Sequence, residues 1–158
     1  MKSIINRKAS HNYIFLEKFE AGIVLTGNEI KQIRAGNISL DEAFVLIRNA
    51  EAYLINAHIA TYSKAADKSE DTRRERKLLM NRKEIEYLIG KMSGSNLTLV
   101  PSRLYFVRNY AKIEVALAKG KKKADKREAM KKKDDIREAQ KFLRSDKLNY
   151  QRTESSKR

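Results

Sequence analysis

No cysteine occurs in the 158 residues, which excludes a disulfide framework, a thiolate zinc site and a cysteine nucleophile together. Histidine is almost as scarce: His11 and His58 lie far apart and outside any HExxH arrangement, so a metal site lacks a ligand set. Glycine-rich phosphate cradles are missing too, since neither GxxxxGK[ST] nor GxGxxG occurs and GNEIKQIRAG has the spacing of neither. The longest apolar runs, such as 97–100 and 43–47, fall far short of the roughly 20 residues a membrane helix needs. The opening MKSIINRKASHNY has no apolar run leading to a small-residue cleavage site. The expectation is a soluble cytoplasmic protein with no cofactor and no membrane partner.

What the chain has instead is positive charge. Lys and Arg number 35 against 20 Asp and Glu, a formal +15, and the pI is near 10.0, the range of polyanion binders. The charge is uneven. Residues 119–158 carry 16 basic and 7 acidic groups, net +9, leaving +6 for residues 1–118. With 41% hydrophobic residues the first part can build a core, and a soft prior of about 150 residues per domain leaves room for one domain and an appendage. The expected organisation is a folded domain over 1–118 and a basic tail over 119–158.

Within the first part, 13–19 and 22–25 are aromatic and branched, reading as two strands or one bent strand. Thr26-Gly27-Asn28-Glu29 has the form of a capping box opening a short helix with Ile30 and Ile33 inward, and Gly36 is a left-handed stop. Segments 42–48 and 51–58 flank Asn49-Ala50 as a β-hairpin. Residues 61–76 form a long polar loop with almost no large apolar side chain after Tyr62. A second cap at Asn81 to Glu84 opens an amphipathic helix with Ile85, Leu88, Ile89 and Met92 on one side. Strands follow over 97–107 and 111–118, with the sole proline, Pro101, suited to an edge or bulge. About six strands and two helices fit neither a doubly wound sheet nor a bundle; a small closed or partly closed β-barrel is the economical architecture.

The tail has no Gly or Pro beyond Gly120 and is rich in helix formers. Ala129, Ile136, Leu143 and Tyr150 recur every seven residues, but Lys132, Ala139, Asp146 and Thr153 three places on cannot complete a coiled-coil seam. The tail is expected to be unstructured alone and helical against a polyanion. Its paired Asp134 and Asp135 sit among lysines and are solvated counter-charges, not an acid–base pair.

Three basic runs stand beside aromatics: Arg7, Lys8, His11 and Tyr13; Arg73, Arg74, Arg76 and Lys77; and Lys119 with Lys121, Lys122 and Lys123. One such run is usually a solvated face. Three runs on a chain of net +15 point to nucleic acid, cations neutralising phosphate while rings stack on unpaired bases. A generic ribosomal or RNA-chaperone protein satisfies the same features, whereas an RNA-processing enzyme lacks its acid, base or metal groups.

Six segments together carry a more specific likeness: NRKASHNY at 6–13, FEAGIVLTGNEIKQIRAG at 19–36, AYLINAHIATY at 52–62, RKLLMNRKEI at 76–85, LTLVPSRLYF at 97–106 and ALAKGKKKADKRE at 116–128. In order and content they resemble the small protein B family (SmpB), bacterial partners of transfer-messenger RNA in the rescue of stalled ribosomes. The resemblance implies a β-barrel of the oligonucleotide-binding type, an appended C-terminal tail disordered in isolation, and a monomer. It implies binding of the tRNA-like domain of transfer-messenger RNA, indirect dealings with elongation factor Tu and alanyl-tRNA synthetase through that RNA, and a tail that enters the decoding centre and empty mRNA channel of the small ribosomal subunit.

RNA contact in that family is associated with residues matching Asn6, Glu20 and Leu79, with Arg7, Lys8, His11, Arg76 and Lys77 as neighbouring groups supplying phosphate or base contacts. The decoding-centre element falls on Lys119, Gly120, Lys121, Lys122, Asp125, Lys126 and Arg127, with Gly120 as pivot. The family usually has His or Tyr where this chain has Ala124, so a stacking contact worth roughly 1 to 3 kcal/mol is either absent here or supplied by a neighbour. Ile136, Phe142 and Leu143 are the expected channel-facing stripe of the tail.

Overall fold

The structure, a computed structural model, describes residues 3–61 and 71–155, the side chains of 129, 142–143 and 145–155 excepted. It comprises two compact units, Met1–Gly120 and Lys121–Arg158. The first contains β1 (Ile4–Ile5), α1 (Arg7–Asn12), β2 (Tyr13–Ile23), α2 (Gly27–Ala35), β3 (Ile38–Ser39), β4 (Phe44–Arg48), β5 (Glu51–Ile55), β6 (His58–Ile59), β7 (Arg76–Leu79), α3 (Arg82–Met92), β8 (Leu97–Val107) and β9 (Tyr110–Gly120). Residues 62–70 of the expected polar loop, Tyr62 included, lie outside the described residues.

The local signals act as the chemistry requires. Thr26 and Glu29 close a reciprocal capping box at α2, which ends at Gly36 with φ +86°. Asn81 and Glu84 do the same for α3. Asn49 and Ala50, at φ 53° and 55°, turn β4 into β5, the left-handed pair that matches the twist of a tight hairpin. Stretches 13–19 and 22–25 resolve into the single strand β2, with a register shift between Phe15 and Glu17. Pro101 lies inside β8 where the register shifts against β9 between Pro101 and Arg103, so its missing N–H breaks no regular ladder.

Every strand pairing is antiparallel, and the order β1-β8-β4-β5-β7-β2-β9 is joined at its ends by β8 with β9. Six strands thus form a closed ring of pairings around Ala21, Val45, Leu54, Leu78, Leu99, Leu104, Ile113, Val115 and Leu117. α2 contributes Ile33 and α3 contributes Leu88 to that core. Ile89, expected inward, is instead exposed: Ile85 and Leu88 are the buried residues of α3, and Met92 packs partly buried against the core.

The outer face of one part of the ring has its own apolar cluster. Ala9 of α1 packs on Val100, Ala116 and Ala118, flanked by Tyr13 and Phe15. The helix is only six residues long and has one buried side chain, which is why hydrophobic periodicity does not disclose it.

In the second unit, α4 runs from Lys123 to Ser155. The chain is helical here over the segment expected to become helical against a polyanion. The cause is local: a run without Gly or Pro, Asp125 accepting from the Lys122 amide at its start, and the i,i+4 pair of Glu128 with Lys132 at 3.1 Å. Its described side chains from Lys123 on are exposed apart from half-buried Lys126.

Candidate nucleic-acid interface

Register places the candidate residues. Leu79 on β7 lies opposite Gly22 on β2, Gly22 opposite Lys112 on β9, and Lys112 opposite Tyr105 on β8. Two residues along, Glu20 faces Glu114, which faces Arg103. Side chains alternate across a strand, so Glu20, Gly22, Glu114 and Lys112 share the outer face with Ala116 and Ala118, the residues under α1. Leu79, Glu20 and the exposed Arg7, Lys8 and His11 of α1 therefore belong to one continuous outer surface.

Two juxtaposed acids organise that surface. Glu20 accepts from the Tyr105 hydroxyl through Oε2 and from Lys112 Nζ through Oε1. The Lys112 bond first, then that of Tyr105, holds its carboxyl below the ordinary value. Glu20 in turn pushes the Tyr105 phenol up to about 12, so it donates throughout the physiological range. Glu114 takes Ser102 Oγ at 2.6 Å, Lys18 Nζ at 3.0 Å and the Arg103 guanidinium at 3.0 Å. Burial pulls the Glu114 carboxyl up, but Ser102, Lys18 and Arg103 prevail and hold it low. Arg103 also lies 5.0 Å from the centre of the Tyr105 ring.

Leu79 is 57% exposed, large for an aliphatic side chain in a paired strand. It stands over Gly22: a Cβ there would meet Leu79 Cβ at 3.3 Å. Lys77, next but one on β7, is exposed and paired with Glu51, which also accepts from Tyr53. Lys8 pairs with Glu42 at 3.5 Å.

Two of the expected contact residues are buried. Arg76 is fully buried: its Nε donates to Glu29 at 2.8 Å and its terminal nitrogens to the carbonyls of Ala57, Arg74 and Thr72. It shares the inward face of β7 with Leu78, away from the exposed face that carries Lys77 and Leu79. Arg74 joins it on Glu29 at 2.5 Å. Asn6 is likewise 1% exposed; its amide donates to Leu40 O at 2.7 Å and Pro101 O at 3.0 Å while Oδ1 caps α1 at the Ala9 amide. It fixes α1, and so the placement of Arg7, Lys8 and His11, without touching the surface.

Lys119 and Gly120 are the exposed last residues of β9, paired with Ile14 and Tyr13. In the second unit Lys121 and Lys122 precede α4, and Ala124, Asp125, Lys126 and Arg127 form its first turns. Ile136 is 59% exposed; the side chains of Phe142 and Leu143 lie outside the described residues.

Tyr105, Lys112, Arg103 and Glu114 join the surface without any local signal in the sequence that marks them. A two-residue turn at Arg108-Asn109 would have set Val107 against Tyr110 and hence Tyr105 against Lys112, as the register has it.

An antiparallel face that sets cations beside aromatic rings, an oriented carboxylate and an uncovered leucine is the surface of an RNA-binding module. Comparison with known proteins narrows the class. The family model for SmpB protein matches residues 3–145, and the chain belongs to the SmpB family. An SsrA-binding protein of Sulfurihydrogenibium sp. (strain YO3AOP1) is 54% identical over 139 residues, covering 88% of this chain and 91% of its own. Another, from Carboxydothermus hydrogenoformans, is 52% identical over 147 residues, covering 92% and 99%. Among solved structures, a chain described under "tmRNA-SmpB: a journey to the center of the bacterial ribosome" is 42% identical with a TM-score of 0.66, covering 82% of this chain and 95% of that one.

Proposed function

We propose that this protein is the transfer-messenger-RNA-binding adaptor of trans-translation, working in the cytoplasm on stalled bacterial ribosomes and catalysing no reaction itself. The observation that carries this is the gathering of Glu20, Leu79 and the α1 cations on one outer surface of an SmpB-family chain. The ring of strands serves as an oligonucleotide-binding-type barrel whose outer face grips the tRNA-like domain. Leu79 packs on an unstacked base, Glu20 accepts from the RNA, and Arg7, Lys8, His11 and Lys77 supply phosphate and stacking contacts. Asn6 and Arg76 act one layer below, as positioning residues.

The tail is the ribosomal half of the adaptor. Lys119, Lys121, Lys122, Lys126 and Arg127 match ribosomal RNA phosphates in the decoding centre, Gly120 is the pivot, and Ile136, Phe142 and Leu143 form the stripe that lies in the empty mRNA channel. The tail is basic and poor in large apolar residues, the composition of a segment whose helix is reinforced by a polyanionic partner. Elongation factor Tu and alanyl-tRNA synthetase are met through the RNA. Among the described residues no helix is long and apolar enough to cross a membrane.

The test is affinity for a transfer-messenger tRNA-like fragment and for an elongator tRNA across a salt series. Charge-only binding collapses as salt rises. A preference for the fragment that survives physiological salt is expected. Equal, steeply salt-dependent binding to both would leave a generic RNA-binding ribosomal protein in its place.

A further inference from the structure

We propose that Glu20 and Lys112, set by Tyr105, form a receptor for the Watson–Crick edge of one unpaired guanine, whose ring lies over Gly22 against Leu79. This rests on the RNA-binding reading above and specifies what the outer face selects.

The argument begins with lone pairs. An ionised carboxylate offers about four acceptor positions. In Glu20 one position on each oxygen is taken, by Tyr105 on Oε2 and by Lys112 on Oε1. What remains is one acceptor position on each of two adjacent oxygens, suited to two parallel N–H donors. Lys112 has three N–H donors and spends one on Glu20, so the ammonium places further donors beside that pair of acceptors. The surface therefore presents, side by side, a donor and two acceptors.

Among the four RNA bases, only guanine carries the complement on its Watson–Crick edge: the O6 acceptor, then N1–H, then the N2 amino group. Cytosine shows one donor followed by two acceptors, uracil a donor between two acceptors, and adenine a single donor beside an acceptor. A ribose hydroxyl would satisfy one oxygen and leave the other unused.

The surroundings suit a flat ring with a polar edge. Gly22, which is two residues along β2 from Glu20, lies between Leu79 and Lys112 and has no side chain to stand in the way. Leu79 stands beside it, 57% exposed, an apolar wall for a base face. A Cβ at Gly22 would press on Leu79 Cβ at 3.3 Å as well as fill the strip. Tyr105 is a positioning residue: its hydroxyl fixes the carboxylate, and Arg103, 5.0 Å from its ring, braces it. The low protonation tendency of Glu20 keeps it purely an acceptor at neutral pH.

The test replaces each unpaired guanine of the tRNA-like fragment, one at a time, by inosine, which lacks only the N2 amino group, and measures Kd with the full chain and with Glu20→Gln. One position is expected to weaken wild-type binding about tenfold, the value of one charge-assisted hydrogen bond. The same inosine should add less than about twofold to the loss in Glu20→Gln, because the acceptor is already compromised. Tyr105→Phe should lower affinity for the unmodified fragment while its melting temperature stays at the wild-type value. If every inosine is tolerated while the fragment is still preferred over tRNA, the guanine receptor is wrong and the RNA reading stands. An inosine penalty undiminished in Glu20→Gln also overturns it, as does coupling of Glu20 to a 2′-deoxy substitution instead. Loss of the preference itself brings down the reading and this inference together.

Discussion

Arg76→Met offers the sharpest separation between a surface cation and a buried one. Methionine keeps an unbranched apolar stem but removes the donors to the carbonyls of Ala57, Arg74 and Thr72 and to Glu29. Breaking a buried ion pair by deleting one partner costs about 3 to 5 kcal/mol. Glu29 retains Arg74 through two hydrogen bonds and the Thr26 amide at 2.8 Å, so the low end, about 3 kcal/mol, is the appropriate figure. Unfolding entropy of about 2.1 cal/mol/K per residue over Met1–Gly120 gives roughly 0.25 kcal/mol/K, and hence a fall in Tm of roughly 12 °C. Scanning calorimetry reads this directly. RNA titrations across salt, run well below the new Tm, should keep the wild-type slope of log K against log salt, because no phosphate contact is lost. A Tm within about 3 °C of wild type, with the slope reduced by about one phosphate contact, would refute the burial argument and restore Arg76 to the surface.

Three further outcomes are expected. Glu29 and Glu114 are both held below the free-Glu value of 4.5 in the folded chain; for Glu29 burial works the other way, and Arg74, Thr26 and Arg76 overcome it. Their contribution to stability is therefore complete above pH 4.5 and lost as pH falls through the lower folded-state values. Urea midpoints from pH 7 to 3 should be flat above about pH 5 and drop below it; a midpoint that rises on acidification contradicts the assignment. Ala50→Gly should raise Tm by about 2 to 4 °C: the left-handed φ of 55° costs alanine about 1 to 2 kcal/mol, and glycine's extra freedom when unfolded returns about 0.5 to 1. A chain ending at Gly120 should melt within about 2 °C of the full chain and still bind the tRNA-like fragment, yet fail to support peptide tagging on stalled ribosomes, which an in vitro translation reaction measures.

What could be read from the residues alone was local. The two capping boxes, the Gly36 stop, the Asn49-Ala50 hairpin and the Pro101 irregularity depend on neighbours a few places apart, and all are present. Ring closure depends on register between β2 and β9, about a hundred residues apart in sequence, which no window of residues encodes. α1 escaped because a six-residue helix with one buried alanine has no periodicity to detect, although Asn6 at its cap was in plain view. Arg76 stands among exposed cations in the sequence, but its alternation with Leu78 puts it on the inward face of β7, where it pairs with Glu29. The likeness to SmpB picked out Glu20 and Leu79; only the cross-strand register revealed that Tyr105, Lys112 and Gly22 stand with them.

The pairing of β9 on both sides has a mechanical consequence. β9 is bonded to β2 from Lys112 to Gly120 and to β8 from Tyr110 to Lys119, and the chain passes straight from its last residue into the basic C-terminal segment. Tension drawn along that strand loads two antiparallel ladders in shear, so many hydrogen bonds resist at once instead of parting one after another as in a peeled hairpin. A segment rooted there can be gripped and dragged by a moving machine while the fold that anchors it holds its shape.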